Sequence, residues 1–175
     1  MGAAYHQGIA SLAITPSHKA IRIDQANSGD GKHHLISSAD RNQGVNQKRY
    51  AMIIRDVYTN WMTFEPQANR NTKEAIAALH RFAPNVQVKN FYCDNAPELL
   101  DAAKLRGYHN PTSTPWRHQS NAKIERYNRL ALEGTRSVLS MSGLPSYWWP
   151  YAGRYWCFVN NILVRNGDSP WNKRF

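Results

Sequence analysis

The stretch YAMIIRDVYTNWMTFEP, residues 50–66, most narrows what this chain can fold into. YAMIIRD is apolar on both faces in its middle, as a strand inside a covered sheet is, and WMTFEP follows as a second strand. Between them VYTN offers Thr59 and Asn60, which suit a turn. Strands joined by so short a connection run antiparallel. Directly afterwards the period changes. In NTKEAIAALHRFA, residues Ala75, Ile76, Leu79 and Phe82 share one side of a helix, and Asn71 with Glu74 three positions on predicts a variant capping box. A sheet that hands over to a helix in this way begins an α/β domain.

The flanking segments extend the pattern. KAIRID alternates Ile21 and Ile23 with Arg22 and Asp24, which predicts the first strand there, behind an irregular tail over 1–18 and ahead of a long polar connection rich in Gly, Asn and Ser. Downstream, VQVKNFYCD reads as a fourth strand ending at Asp94. PELLDAAKLR reads as a short helix stopped by Gly107, and YHNP as a short fifth strand. TSTPWRHQSN reads as a polar loop kept non-helical by its prolines. A long helix is predicted from Ala122 to about Met141, with Ile124, Tyr127, Ala131 and Val138 at helical spacing, ended by Gly143 and Pro145. An aromatic-rich helix starts around Pro150. RNGDSPWNKRF is predicted to be extended. The expected fold is α/β: a mixed sheet of about five strands, the first three antiparallel, flanked by helices over 19–165, with a truncated C-terminal extension over 166–175.

Composition bounds the partners. A length of 175 residues with 42% hydrophobic content supports one domain. Lys and Arg exceed Asp and Glu by 22 to 12, giving +10, which favours a polyanion, most simply nucleic acid. Two cysteines make no disulfide framework, and no Cys/His spacing suggests zinc. No apolar run reaches the length of a membrane span and no secretion or lipidation signal is present, so an intracellular protein is expected.

Three acids stand out by position. Asp24 lies at the predicted first strand, Asp94 closes the fourth, and Glu125 sits on the predicted first turn of the long helix. If strands one and four are neighbours, their carboxylates meet at one sheet edge and a helix start packed there adds the third. Such oxygen ligands suit hard Mg²⁺ or Mn²⁺, and two ions roughly 3.5–4 Å apart serve phosphodiester chemistry. The plainer alternatives are a turn-capping Asp94, a strand-end Asp24 and an exposed Glu125–Arg129 pair. Asp56 reads as structural. Arg117, Lys123, Arg126 and Arg129 form a basic cluster beside Glu125 that could line a DNA groove. The stripe of Trp148, Trp149, Trp156 and Phe158 suits packing on the sheet or on a second subunit better than base stacking.

YAMIIRDVYTNW, FYCDNAPEL, STPWRHQSNAKIERYNR and GLPSYWWPYAGRYWCFVNN together resemble, in order and character, the catalytic core of retroviral and retrotransposon integrases. That family comprises Asp, Asp, Glu polynucleotidyl transferases of ribonuclease H-like fold. The third segment is the most specific. The resemblance covers about residues 20–165 and implies metal-dependent 3′-end processing and strand transfer in DNA integration, carried out in the nucleus by a homo-oligomer on element ends and target DNA. It implies Asp94 as the second catalytic acid, Glu125 as the third and Asp24 as the first, with Asp40 as a rival for that place, all holding Mg²⁺ or Mn²⁺. It also implies DNA contacts from Gln119, Asn121 and Arg129, alongside Arg117, Lys123 and Arg126. The chain departs from the family in several ways. Thirty residues separate Asp94 from Glu125, fewer than usual. Ala96 and Ala122 stand where the family commonly has Gly, and no zinc-binding His-His-Cys-Cys module is present. The expectation is therefore a core belonging to a larger polyprotein, or alternatively a catalytically inactive nucleic-acid-binding or assembly module from a decayed or domesticated element.

Overall fold

The computed structural model describes residues 9–13, 43–84, 88, 90–93, 96–110 and 117–175; for 9–13 and 117–125 it describes the backbone alone. Among the described residues, four strands and five α-helices run in the order β1 (Ile9–Ala13), β2 (Tyr50–Asp56), β3 (Met62–Gln67), α1 (Thr72–Phe82), β4 (Phe91–Tyr92), α2 (Pro97–Leu105), α3 (Arg117–Ser142), α4 (Trp149–Ile162) and α5 (Pro170–Arg174). They form one mixed sheet in the order β3-β2-β1-β4. β3 and β2 pair antiparallel, with Ile53 opposite Phe64, and β2 and β1 pair antiparallel, with Leu12 opposite Ile53. β4 lies parallel to β1, with Ala10 opposite Tyr92.

The double-sided apolar character of YAMIIRD has a direct cause. Met52 and Ile54 point into a core shared with Leu79 and Phe82 of α1 and Leu99 of α2. Their neighbours Ala51 and Ile53 point the other way, into a core with Ala131 and Leu139 of α3 and Trp149 and Cys157 of α4. Helices therefore cover both faces, and period-two alternation disappears because neither face is wet.

α1 starts as its sequence predicts. The Asn71 side chain accepts from the Glu74 amide at 2.8 Å. The Glu74 carboxylate in turn accepts from the amides of Ala68 at 2.9 Å and Asn69 at 3.1 Å, beyond the reach of the usual box. Gly107 and Gly143, at φ +67 and +67, end α2 and α3 in the left-handed region that favours glycine.

Several expectations need correction. The supposed irregular tail over 1–18 contains β1, a central strand. IASLA has little alternation and two alanines, so its strand identity comes from hydrogen-bonding partners on both sides, which no local pattern reveals. The strand expected at KAIRID lies outside the described residues. The fifth strand at YHNP is reduced to a single parallel bridge, Asn90 to His109. α3 begins at Arg117, taking in part of the predicted loop, so Glu125 sits two turns inside the helix. The C-terminal segment is not extended: Ser169 caps α5 by accepting from the Asn172 amide at 3.1 Å. Trp171 and Phe175 then pack their rings on Trp61 at 5.6 and 5.4 Å.

Candidate nucleic-acid interface

The candidate interface is built on one rung of the sheet. Ala10 of β1 lies opposite Arg55 of β2 on one side and Tyr92 of β4 on the other. Arg55 is the one cation in β2, following the apolar run Ala51–Ile54 and preceding Asp56. Its guanidinium stacks 3.5 Å over the Tyr127 ring of α3 and donates to the Asn60 side chain in the β2–β3 turn. Burial lowers the Arg55 pKa, while the neighbouring Tyr127 and Asp56 oppose that shift. The stack ties α3 to the rung that carries Tyr92. Asp94 follows Tyr92 by two residues, and Glu125 precedes Tyr127 by two.

Asp24, Asp40 and Asp94 lie outside the described residues. Glu125 belongs to α3, whose backbone course is described there, as do Arg117, Gln119, Asn121 and Lys123. Arg126 and Arg129 are exposed on the same helix. β1, the strand beside β4, reads Ile-Ala-Ser-Leu-Ala and has no carboxylate. Among the described residues no group of three His, Cys, Asp or Glu side chains could hold a metal ion.

Asp56, expected to be structural, is fully buried at the end of β2. It accepts from the Tyr58 amide at 3.0 Å and from the Thr59 hydroxyl at 2.7 Å, and Arg174 of α5 approaches it to 3.8 Å. The acid shapes the turn that presents Asn60, at φ +65, to Arg55. Sequence reasoning missed Arg55. The signal was present, since a lone cation within an apolar strand needs a partner.

The fold is of the mixed α/β class, with Arg126 and Arg129 exposed on α3. The chain is similar to retrotransposon proteins. It is 27% identical over 137 residues, 73% of its length, to "Retrovirus-related Pol polyprotein from transposon RE1" of Arabidopsis thaliana, covering 9% of that protein. It is 26% identical over 141 residues, 75% of its length, to "Retrovirus-related Pol polyprotein from transposon RE2" of the same plant, covering 10% of it. The chain thus spans about a tenth of the length of the curated relatives it matches. No family model matches it. These similarities support a retrotransposon-related protein.

Proposed function

We propose that the chain is an integrase-type core of ribonuclease H-like fold that acts in DNA integration by metal-dependent phosphoryl transfer. The observation that carries this reading is the Arg55–Tyr127 stack. It fixes α3 against the rung from which β4 leads to Asp94, so the segments bearing Asp94 and Glu125 depart from one level of the sheet. The strand order β3-β2-β1-β4, with β4 parallel to β1, also supports it.

Asp94 and Glu125 would hold Mg²⁺ or Mn²⁺, for which carboxylate oxygens are the fitting donors, with Asp24 or Asp40 as the third ligand. A bound divalent ion supplies charge neutralisation at the scissile phosphodiester. The protein's own part is positional: Arg55 orients α3 through Tyr127, and Arg126 and Arg129 bind backbone phosphates with Arg117, Gln119, Asn121 and Lys123. Such work places the chain at chromosomal DNA, in the nucleus. With duplex oligonucleotides and Mn²⁺, 3′-end cleavage and joining are expected, and Glu125→Gln abolishes both; unchanged activity in that variant overturns the assignment.

One observation favours a second reading. The central strand next to β4 carries no acid. A chain lacking the first ligand would bind DNA without joining it, as an inactive nucleic-acid-binding or assembly module would. Binding of duplex DNA with no Mn²⁺-dependent product selects this reading over the first.

A further inference from the structure

The short helix α5 grips the β2–β3 turn at both of its ends. At the start of the turn, the guanidinium of Arg174 comes within 3.8 Å of the fully buried Asp56 carboxylate. At its end, Trp61 receives the rings of Trp171 and Phe175 at 5.6 and 5.4 Å, with the Arg174 guanidinium 5.4 Å over its own ring. The same guanidinium lies 4.6 Å over the Phe82 ring of α1 and donates to the Phe82 carbonyl at 2.5 Å. Arg174 is thus threaded between two rings, with 11% of its side chain exposed.

The middle of the same turn holds α3. Asp56 shapes it by accepting from the Tyr58 amide and the Thr59 hydroxyl, and backbone bonds from Asp56 to Trp61 and from Asn60 to Asp56, at 2.8 and 2.9 Å, close it. Asn60, left-handed at φ +65, accepts from Arg55, whose guanidinium lies on the Tyr127 ring. Trp61 packs on the core under α1 and α2, and Tyr127 on the core under α3 and α4. The turn therefore links the two faces of the sheet, through Arg174, Asp56, Asn60, Arg55 and Tyr127 in order.

α5 is lightly seated. Its five residues make little more than one turn, too short to persist as a helix away from the surface that carries it. Its aromatic anchors lie at the surface, with Trp171 42% and Phe175 79% exposed, so Arg174 is its one deep contact. A hinge precedes it. Arg165 and Asp168 close a reverse turn through backbone bonds of 2.8 and 3.3 Å, with Asn166 and Gly167 at φ +55 and +83.

We propose that α5 is a strap whose docking sets the position of α3. Seated, Arg174 locks the turn and, through it, the stack of Arg55 on Tyr127. Lifted, it withdraws its charge from the buried Asp56, the turn loosens and the Tyr127 segment of α3 is released. Whatever displaces α5 then acts on α3 from the other face of the sheet, and a ligand that binds α3 in its held position favours the seated strap in return. The coupling concerns the helix itself and stands apart from any reading of what α3 binds.

Hydrogen–deuterium exchange of the full chain, read on peptides by mass spectrometry, tests the strap. Arg174→Met keeps an unbranched stem between Trp61 and Phe82 and removes the charge. Amides around Tyr127 should then exchange about fivefold faster or more, while those of α2 around Leu99 and Ala102 stay unchanged. Trp171→Ala lifts the strap through a different contact and should give the same pattern, even where Arg174→Met fails to fold. Asn60→Gly keeps the left-handed backbone and cuts the link at the turn, so it should speed exchange in α3 and leave α5 seated. Combined with either strap variant, it should be no faster at Tyr127 than the faster single variant. Unchanged α3 exchange in the strap variants overturns the proposal, as does an equal rise in α2, which marks general loosening. Additive effects in the combined variant also overturn it, because the coupling then runs through the contacts of α5 with α4 instead of through the turn.

Discussion

Cys157 illustrates how position sets the chemistry of a residue. Its thiol lies in the core between α4 and the sheet, where burial, aided by the nearby Glu65 charge, pushes its pKa from 9.0 up to about 12. Native protein treated with a thiol reagent at mildly alkaline pH should leave the Cys157 peptide unlabelled, and denatured protein should label it; peptide mass spectrometry distinguishes the two. The same shift makes stability depend on pH. The folded form keeps a proton that the unfolded form releases above pH 9, so the contribution is complete below that value. It is lost as pH rises toward 12, by about 1.4 kcal/mol per pH unit. Chemical denaturation at several alkaline pH values measures that slope.

At the scale of elements, the junction between α4 and β3 depends on one side chain. β3 is an edge strand, and the buried Asn161 of α4 serves it much as a neighbouring strand would. Its side chain donates to the Met62 carbonyl at 2.7 Å and accepts from the Met62 amide at 2.9 Å. Asn161→Leu leaves both Met62 groups buried without that partner, at a cost of about 2–4 kcal/mol. A fall in Tm on the order of 10 °C is expected, measurable by calorimetry. Close approach of the same two elements explains Gly153 as well: a Cβ there would run into the Phe64 ring. Neither residue has a local signature, since Asn161 reads as one more polar position late in a helix.

For the whole molecule, the proposed binding of DNA by a chain of net charge +10 with Arg126 and Arg129 exposed would depend on salt. Each phosphate contact contributes a slope of about −0.9 to log K against log salt. Arg126→Ala with Arg129→Ala should lower the magnitude of that slope by about two and weaken binding to all sequences alike, which fluorescence anisotropy across a salt series would detect. An unchanged slope would remove these two side chains from the interface. The helix that carries them is anchored by the stack of Arg55 on Tyr127, so under the proposed reading Tyr127 would position the two arginines.

The sequence by itself determined the elements whose signals are local. YAMIIRD was legible as a strand covered on both faces, Asn71 and Glu74 marked the start of α1, and Gly107 and Gly143 marked the ends of α2 and α3, because turns, caps and left-handed glycines are read within a few residues. The position of Glu125 on a basic helix was equally plain, although the helix begins earlier than its apolar spacing indicates. Only the tertiary structure decided that Ile9–Ala13 is an interior strand between β2 and β4 and that Pro170–Arg174 is a helix docked on Trp61. β1 is defined by β2 and β4, which lie far along the sequence, and α5 by Trp61, Phe82 and Asp56. The stack of Arg55 on Tyr127 belongs to the same class. A cation in a strand announces that it needs a partner, and only the folded chain selects which one.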